Sequence, residues 1–402
     1  MHRRQFLSAC GRLALSASLS RRAWSADLPR DIRITRALAF DLVSKRPKMV
    51  GKNSRLGNHG DSTNDRMVRL QTNAGIEGLG NCRADKNALA ALLGKNLFDL
   101  YKPEQRSMTG VLGAGSMPLW DLAGKVLDKP VYQLLGGAGP QRVPAYDGSI
   151  YFADLLPEHA NTPLDRLKVE IDMGLKLGHR AFKIKVGRGA KWMPPDEGYR
   201  RDLDVLKTIR RHAGPDVVLG IDANNGYNLE LTKRLLADLP DINLAFLEEM
   251  FPEDLDQYRQ LKSFLAEHKL KALIADGETQ SSLEPLRKYM EARTVDVFQA
   301  DMNHFGFEGI LTEAAWAKPY GLLVGPHNWG SLVGFYMLLH LGRAITNFYR
   351  AENDPADTDV LIADGYAITD GSASVPDAPG FGLKIHEETF ATQIKPKLDL
   401  KL

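Results

Sequence analysis

Beyond about residue 140 the chain keeps returning to one pattern. The runs AFKIKVG, VVLGIDANNGY, LAFLEEMF, LIADGE, VDVFQADMN, LLVGPHN and NFYRAEND are short, apolar and strand-like, and each ends in polar or acidic residues. From Asp222 to Glu248 the interval is 26 residues, then 30 to Glu278, 23 to Asp301, 26 to His327 and 25 to Glu352. Amphipathic segments fill the gaps, so each interval can hold one strand and one helix. Eight such units of about 30 residues supply the ~250 residues of a (β/α)8 barrel. A doubly wound open sheet has the same rhythm, but no Gly-rich phosphate loop follows any of these strands. The expected fold class is α/β, a modified TIM-type (β/α)8 barrel over residues 146–365.

What precedes the barrel reads differently. DIRITRALAFDLV and MVRLQTNAGIEGLG alternate like strands, joined by a polar, basic loop over residues 44–65. Helical patterns follow and stop at Gly136-Gly137. Residues 31–145 are thus expected to form an N-terminal α+β capping domain. The Gly/Pro-rich residues 366–402 have no place in a barrel unit and are expected to pack back on that domain. With 52 basic and 50 acidic residues there is no general field to attract nucleic acid or an anionic membrane. Any charge specialisation is local.

Residues 1–26 stand apart. Arg3-Arg4, then Gln5, Phe6 and Leu7, a weakly apolar Ala/Leu/Ser stretch and Ala23-Trp24-Ser25 together resemble a bacterial twin-arginine export signal. The stretch is too short and too interrupted for membrane insertion. The expectation is a periplasmic protein delivered by the twin-arginine machinery. Cleavage would remove Cys10 and leave Cys82 alone, with no intrachain disulfide.

A barrel gathers the C-terminal ends of its strands around one mouth. In chain order this mouth presents Lys183 and Lys185, Asp222 and Asn224, Glu248, Glu278, Asp301, His327 and Glu352. Asp222, Glu248 and Glu278 close three successive strands. Three carboxylates so close need a counter-charge, and hard oxygen donors with room for water and substrate point first to Mg²⁺. Asp301 ends the strand beside that of His327 and can orient the imidazole and raise its basicity. Lys183 and Lys185 are two apart, so they share a strand face. Lys185 is the expected base, its pKa depressed by Lys183 and a metal, for removing a proton next to a carboxylate. Mg²⁺ and Lys183 would stabilise the resulting ene-diolate.

In order along the chain, WDLAGKVLDKPVYQLLGG, the Lys-x-Lys at 183 and 185, DANNGY, FLEEMFPED, IADGE, ADMNHFG, GPHNWGS and PGFGLKI resemble the mandelate racemase subgroup of the enolase superfamily. The resemblance covers about residues 31–390. It implies Asp222, Glu248 and Glu278 as Mg²⁺ ligands, Lys185 as base on one face and Lys183 on the substrate carboxylate. It also implies the His327–Asp301 dyad on the other face, Glu352 bonded to the enolate, and a homo-oligomer. Two departures stand out: Glu-Glu-Met at 248–250 where Glu-Glu-Pro is usual, and HFGFEG after Asp301 where a Gly-Gly pair is common.

Muconate-lactonising enzymes and dipeptide epimerases carry a lysine where this chain has Asp301, and are set aside. A substrate with a β-hydroxyl would be dehydrated, with His327 protonating the departing group. One without would be racemised or epimerised. The 44–65 segment, with Lys45, Arg46, Lys48, Lys52, Asn53, Arg55, Asn58, His59 and Asp61, suits a polyhydroxylated small-molecule carboxylate, and His59 is the expected substrate contact there. The favoured reading is dehydration of an aldonate or aldarate to a 2-keto-3-deoxy acid. An exported binding protein without turnover is the third reading, though it would have no need of two opposed bases.

Overall fold

The computed structural model describes residues 31–402. The twin-arginine motif, Cys10 and the 1–26 leader lie outside the described residues. The repeating half is a mixed α/β fold with strands Val143–Ile150, Ala181–Lys185, Val218–Asp222, Leu244–Glu248, Leu273–Asp276, Val297–Phe298, Leu323–Val324 and Ala351–Asn353. The first seven pair in parallel, each with the next. The eighth pairs in parallel with the first, and a bridge from Val324 to Phe348 joins it to the seventh, so the sheet curls round on itself.

The alternation of the strands sorts their residues into layers. Ile184, Ile221 and Leu247 point outward and pack with Leu167, Ile171, Val205 and Leu261 from the surrounding helices. Inward-facing Tyr146, Ala181, Phe246, Ala275 and Val297 form an apolar floor inside the ring. The next inward positions toward the strands' C-terminal ends are charged or polar: Lys183 and Lys185 above Ala181, Glu248 above Phe246, Gln299 above Val297. An apolar base thus carries a polar mouth.

The helices start where capping chemistry allows. Asn228, Asp254, Asp301 and Ser331 each accept a backbone N–H of the first turn that follows them. The helix Pro195–Ala213 begins on a proline, buries Tyr199, Val205, Leu206 and Ile209 on one face, and ends at Gly214.

The N-terminal part is a four-stranded antiparallel sheet in the order Leu398–Lys401, Ile34–Val50, Gly60–Thr72, Glu77–Asn81. The helix Met117–Val126 lies against it, with Trp120 fully buried. Asp121 in that helix accepts the N–H of Leu79 at 2.8 Å and of Phe381 at 2.8 Å, tying sheet, helix and the PGFGLKI segment together.

Three boundaries differ from the sequence reading. The first barrel strand starts at Val143, so a division at 145/146 would cut through it. The 44–65 loop is mostly strand: only 51–59 separates Val50 from Gly60. Ser44, Arg46, Lys48 and Val50 alternate inward there, and the polar inward residues disguise a strand in which buried Arg46 and Lys48 find ionic partners. The C-terminal segment is shared: Ser372–Ala373 pairs with the first barrel strand, while Leu398–Lys401 pairs with Ile34–Val50.

Candidate active site

Lys183 and Lys185 are both buried at the end of the second strand, in register with Gly220 and Asp222 of the third. Lys183 Nζ lies 2.5 Å from Glu248 Oε1, 2.6 Å from Glu352 Oε1 and 3.3 Å from Asp222 Oδ2. Lys185 Nζ donates to Asp222 Oδ2. Gly148 on the first strand makes room for this group, since a Cβ there would sit 2.7 Å from Glu352 Oε1.

Across the mouth, His327 Nδ1 meets Asp301 Oδ2 at 2.6 Å, and its Nε2 lies 3.4 Å from Glu278 Oε2. Asp301 has two tasks. One oxygen holds the imidazole, while the other accepts the N–H of His304 at 2.8 Å and caps the helix Met302–Ala317. That helix is broken at Gly306 (φ 63), which sits against Ala114, so HFGFEG forms a kink where the family's usual Gly-Gly pair is missing.

The electrostatics are collective. Burial opposes the charge of Lys183, yet Glu248 and Glu352 hold it well above the ordinary lysine range. This corrects the sequence argument: the Lys183 charge is engaged by two carboxylates instead of standing free to repel Lys185. Burial likewise opposes a charged His327, but Glu278, Asp301 and Glu352 push it up to about 10. Burial pushes Glu248 well above the carboxylate range, and the charges of Asp222, Glu352 and Glu278 add to the shift while Lys183 counters it. Glu249 rises to about 10 through burial and the nearby charges of Glu278 and Asp222.

Lys183, Lys185 and His327 thus face five carboxyl groups, more acids than cations even with Glu248 in its neutral form. Among the described residues no three acidic or imidazole groups are already gathered around one point, because the two ammonium groups lie between the acids. The donor set itself, hard carboxylate oxygens in excess of the cations and a buried Glu278 Oε2 that accepts no hydrogen bond, fits a divalent cation.

The expected residues do not all converge equally. Lys183, Lys185, Asp222, Glu248 and Glu352 are in direct contact, and His327, Asp301 and Glu278 form the facing group. His59 packs against the Tyr151 ring at 4.7 Å between centroids, and that ring lies by Lys185. Asn224, a further expected substrate contact, donates to Glu249 Oε2 at 3.1 Å and offers its N–H to Asp222 Oδ1 at 2.8 Å. It braces the acidic end of the third strand.

Several contributors were missed. Gln299 donates to Glu248 Oε2 at 2.8 Å; its place two residues before Asp301, on the same strand face, was the available signal. Tyr151 lies under Lys185 Nζ at 4.9 Å and stacks on Trp329 at 4.6 Å. Arg188 is fully buried between Asp154 (2.6 Å) and Asp202 (2.7 Å) and fixes the turn after Lys185. Arg46 pairs with Asp354 at 2.6 Å and anchors the 51–59 hairpin tip to the eighth strand's loop. The tip is also fastened through Ser54 Oγ to Ala223 O (2.6 Å) and Trp192 Nε1 to Asn53 O (2.6 Å).

The Enolase C-terminal domain-like family matches residues 167–389, more than half of the chain. The chain belongs to the enolase superfamily. Within that superfamily it is 30% identical over 289 residues to the arabinonate dehydratase of Saccharolobus solfataricus, spanning 71% of this chain and 72% of the relative. Galacturonate dehydratase from Geobacillus sp., solved with D-galacturonate and 5-keto-4-deoxy-D-galacturonate, superposes with a TM-score of 0.83 at 34% identity over 90% of this chain and 97% of its own. A mandelate racemase/muconate lactonizing protein from Geobacillus sp. Y412MC10, solved with magnesium and tartrate, gives 0.84 at 34% identity over 91% and 96%. The first reading of the strand-end residues, an enolase-superfamily chain of the mandelate racemase subgroup, therefore holds.

Proposed function

We propose that this enolase-superfamily chain is a Mg²⁺-dependent hydro-lyase acting on a sugar acid. It removes the proton α to the carboxylate and the hydroxyl β to it, giving a keto-deoxy acid. One observation carries the reading: the Lys183/Lys185 pair and the His327–Asp301 dyad occupy opposite sides of one mouth, linked through Glu352. Relatives that dehydrate arabinonate and galacturonate support the substrate class. For an aldonate the lost proton is at C2 and the hydroxyl at C3; for a uronate the same chemistry falls at C5 and C4.

Lys185 takes the α-proton, and the C–H electron pair moves into the enolic system. Lys183, held charged, sits where it can meet the substrate carboxylate, and Glu352 lies beside the same oxygens. His327, kept protonated by Glu278 and Asp301, gives its proton to the β-hydroxyl as the C–O bond breaks, so the hydroxyl leaves as water. The enol then becomes the ketone. Asp222, Glu248 and Glu278 would hold Mg²⁺, which when bound supplies positive charge to the enolic carboxylate oxygens. The hairpin tip over residues 51–59 serves as the cap. The Arg3-Arg4 leader supports periplasmic action, tested by cell fractionation and N-terminal sequencing, and light scattering tests the expected homo-oligomer.

The deciding experiment is proton NMR of the Mg²⁺-loaded protein in D₂O against a panel of aldonates, aldarates and uronates. A new deoxy methylene signal with loss of substrate establishes dehydration. Exchange of the α-proton with every hydroxyl retained would replace this reading with racemisation. Binding without exchange or turnover would leave a binding protein.

A further inference from the structure

The His327–Asp301 pair is one rung of a ladder. Its side chains meet at 2.6 Å. Beside it Met302 donates its backbone N–H to His327 O at 2.9 Å, and beyond that Asn303 Nδ2 donates to Asn328 Oδ1 at 3.3 Å. Asn328 is fully buried and its side chain is engaged at both ends, since Nδ2 donates to Ser331 O at 3.1 Å and to Glu352 O at 3.4 Å. Its backbone N–H donates to Glu352 Oε2 at 2.9 Å. The other oxygen of Glu352 belongs to Lys183, at 2.6 Å.

The outer rung is held from the capping sheet. Asn81, which ends the strand Glu77–Asn81, donates from Nδ2 to Asn303 Oδ1 at 2.7 Å and to Asp65 Oδ1 at 3.3 Å. Asp65, buried on the neighbouring strand Gly60–Thr72, accepts the Ser331 hydroxyl on that same oxygen and the Val333 N–H at 3.2 Å on the other. Asp65, Asn81, Asn303, Asn328 and Ser331 therefore close a ring across the boundary between cap and barrel. The helix that follows is shaped to it, because a Cβ on Gly334 would sit 2.0 Å from Asn328 Oδ1.

Apolar side chains would join two domains without the desolvation cost, whereas a satisfied polar ring fixes directions. The place of this ring is informative. One member directly follows His327, another lies two residues after Asp301, and the ring's one bond to a mouth carboxylate is the N–H given to Glu352.

We infer that Asn81, Asn303 and Asn328 are positioning residues, through which the capping sheet sets Asp301, His327 and the Oε2 side of Glu352 in reach of the departing hydroxyl. The inference rests on the dehydration reading above for its chemistry. It assigns the cap a part in assembling the acid half of the mouth, while the Lys183/Lys185 half keeps its own contacts.

Asn303→Leu and Asn81→Leu cut the ring at two places without removing any group that the mechanism uses. Asn303→Asp, which loses only the donor to Asn328, is the second cut beside Asp301 if Asn303→Leu fails to fold. Hydrogen–deuterium exchange without ligand comes first, with the strand 181–185 as reference. The Asn328 amide is expected to exchange roughly five- to tenfold faster than in the wild type, the range for one neutral hydrogen bond. An unchanged rate overturns the inference whatever the substrate. On a sugar acid that the wild type dehydrates, each variant is expected to lose about 10- to 100-fold in kcat, as for a misplacement of about 1 Å, with KM within about threefold and α-proton exchange in D₂O retained. The double variant is expected to be no slower than the slower single one, because either cut opens the ring. Parallel loss of exchange and dehydration, or additive losses, would mean a structural role and overturn the inference. A wild type that dehydrates none of the panel fails the functional reading instead, and the amide exchange still decides whether the ring holds Asn328.

Discussion

Replacing Arg46 by methionine should destabilise the protein by several kcal/mol at neutral pH and by much less in mild acid. The guanidinium reaches both oxygens of Asp354, at 2.6 to 3.1 Å, and three backbone carbonyls, His59 O, Gly60 O and Ser62 O, at 2.8 to 3.3 Å. Both partners are almost fully buried. Removing one member of such a pair costs about 3–5 kcal/mol, because the other charge stays desolvated and alone. Asp354 has an escape, which is to take up a proton. From an ordinary carboxylate value of 3.8, that costs about 4 kcal/mol at pH 7 and about 1.6 kcal/mol at pH 5. Burial and Asp147 already push this carboxyl upward beside Arg46, which brings the escape nearer. The folded variant then binds a proton that its unfolded chain releases, so its deficit shrinks as pH falls. The assay is denaturant unfolding of wild type, Arg46→Met, Asp354→Asn and the double variant at pH 7 and pH 5. A deficit below about 1 kcal/mol, one that does not change with pH, or a double variant as unstable as Arg46→Met would refute the account of this pair as the latch of the hairpin tip.

Lys185→Ala should abolish α-proton exchange in D₂O, whereas His327→Asn should retain it and lose dehydration by about 10²–10⁴-fold; loss of exchange in His327→Asn would assign the base to the wrong side. Gln299→Leu leaves Glu248 without its 2.8 Å donor and should weaken Mg²⁺ binding about 10–100-fold by calorimetry, and an unchanged affinity would remove Gln299 from the site. His340 is buried, its Nδ1 accepts the Tyr132 N–H at 3.1 Å, and burial with Arg343 nearby lowers it to about 3. The unfolded chain therefore binds this proton first as pH falls below 6.5, and stability is lost at about 1.4 kcal/mol per pH unit. His340→Gln should flatten the stability slope between pH 6.5 and pH 5 by about one proton equivalent, and an unchanged slope would show that His340 is charged in the folded state.

The curled parallel sheet was legible because its constraint is local and repeated. A strand end at a barrel mouth must place its last inward residue in one spot, whatever surrounds it, so a carboxylate at Asp222, Glu248 or Asp301 announces its place by position alone. The hairpin tip was not legible. Arg46 and Asp354 are 308 residues apart, and Lys48 finds Glu170 across 122. Nothing in the composition of SKRPKMV says that alternate polar residues will be buried, because burial is licensed by partners that the local sequence does not contain. Tyr151 and Trp329 were overlooked for a related reason: their value lies in stacking on each other, which only the closed ring of strands creates.

The two lysines show where local reasoning misleads even when it selects the right residues. Alternation correctly placed both ammonium groups on one face, and repulsion between them followed as the natural consequence. The third, fourth and eighth strands change the sum. Lys183 lies within 2.6 Å of both Glu248 and Glu352, while Lys185 donates to Asp222, so each ammonium group has its own counter-charge. What the pair shares is a surplus of carboxylates. Those acids come from strands other than the second, and Asp222, the residue Lys185 touches, belongs to the donor set that fits a divalent cation. Glu248→Gln alters the partner of Lys183 at 2.5 Å without touching Lys185, so a changed rate of α-proton exchange in D₂O would reach the base through its neighbour, a coupling that no argument confined to the second strand could anticipate.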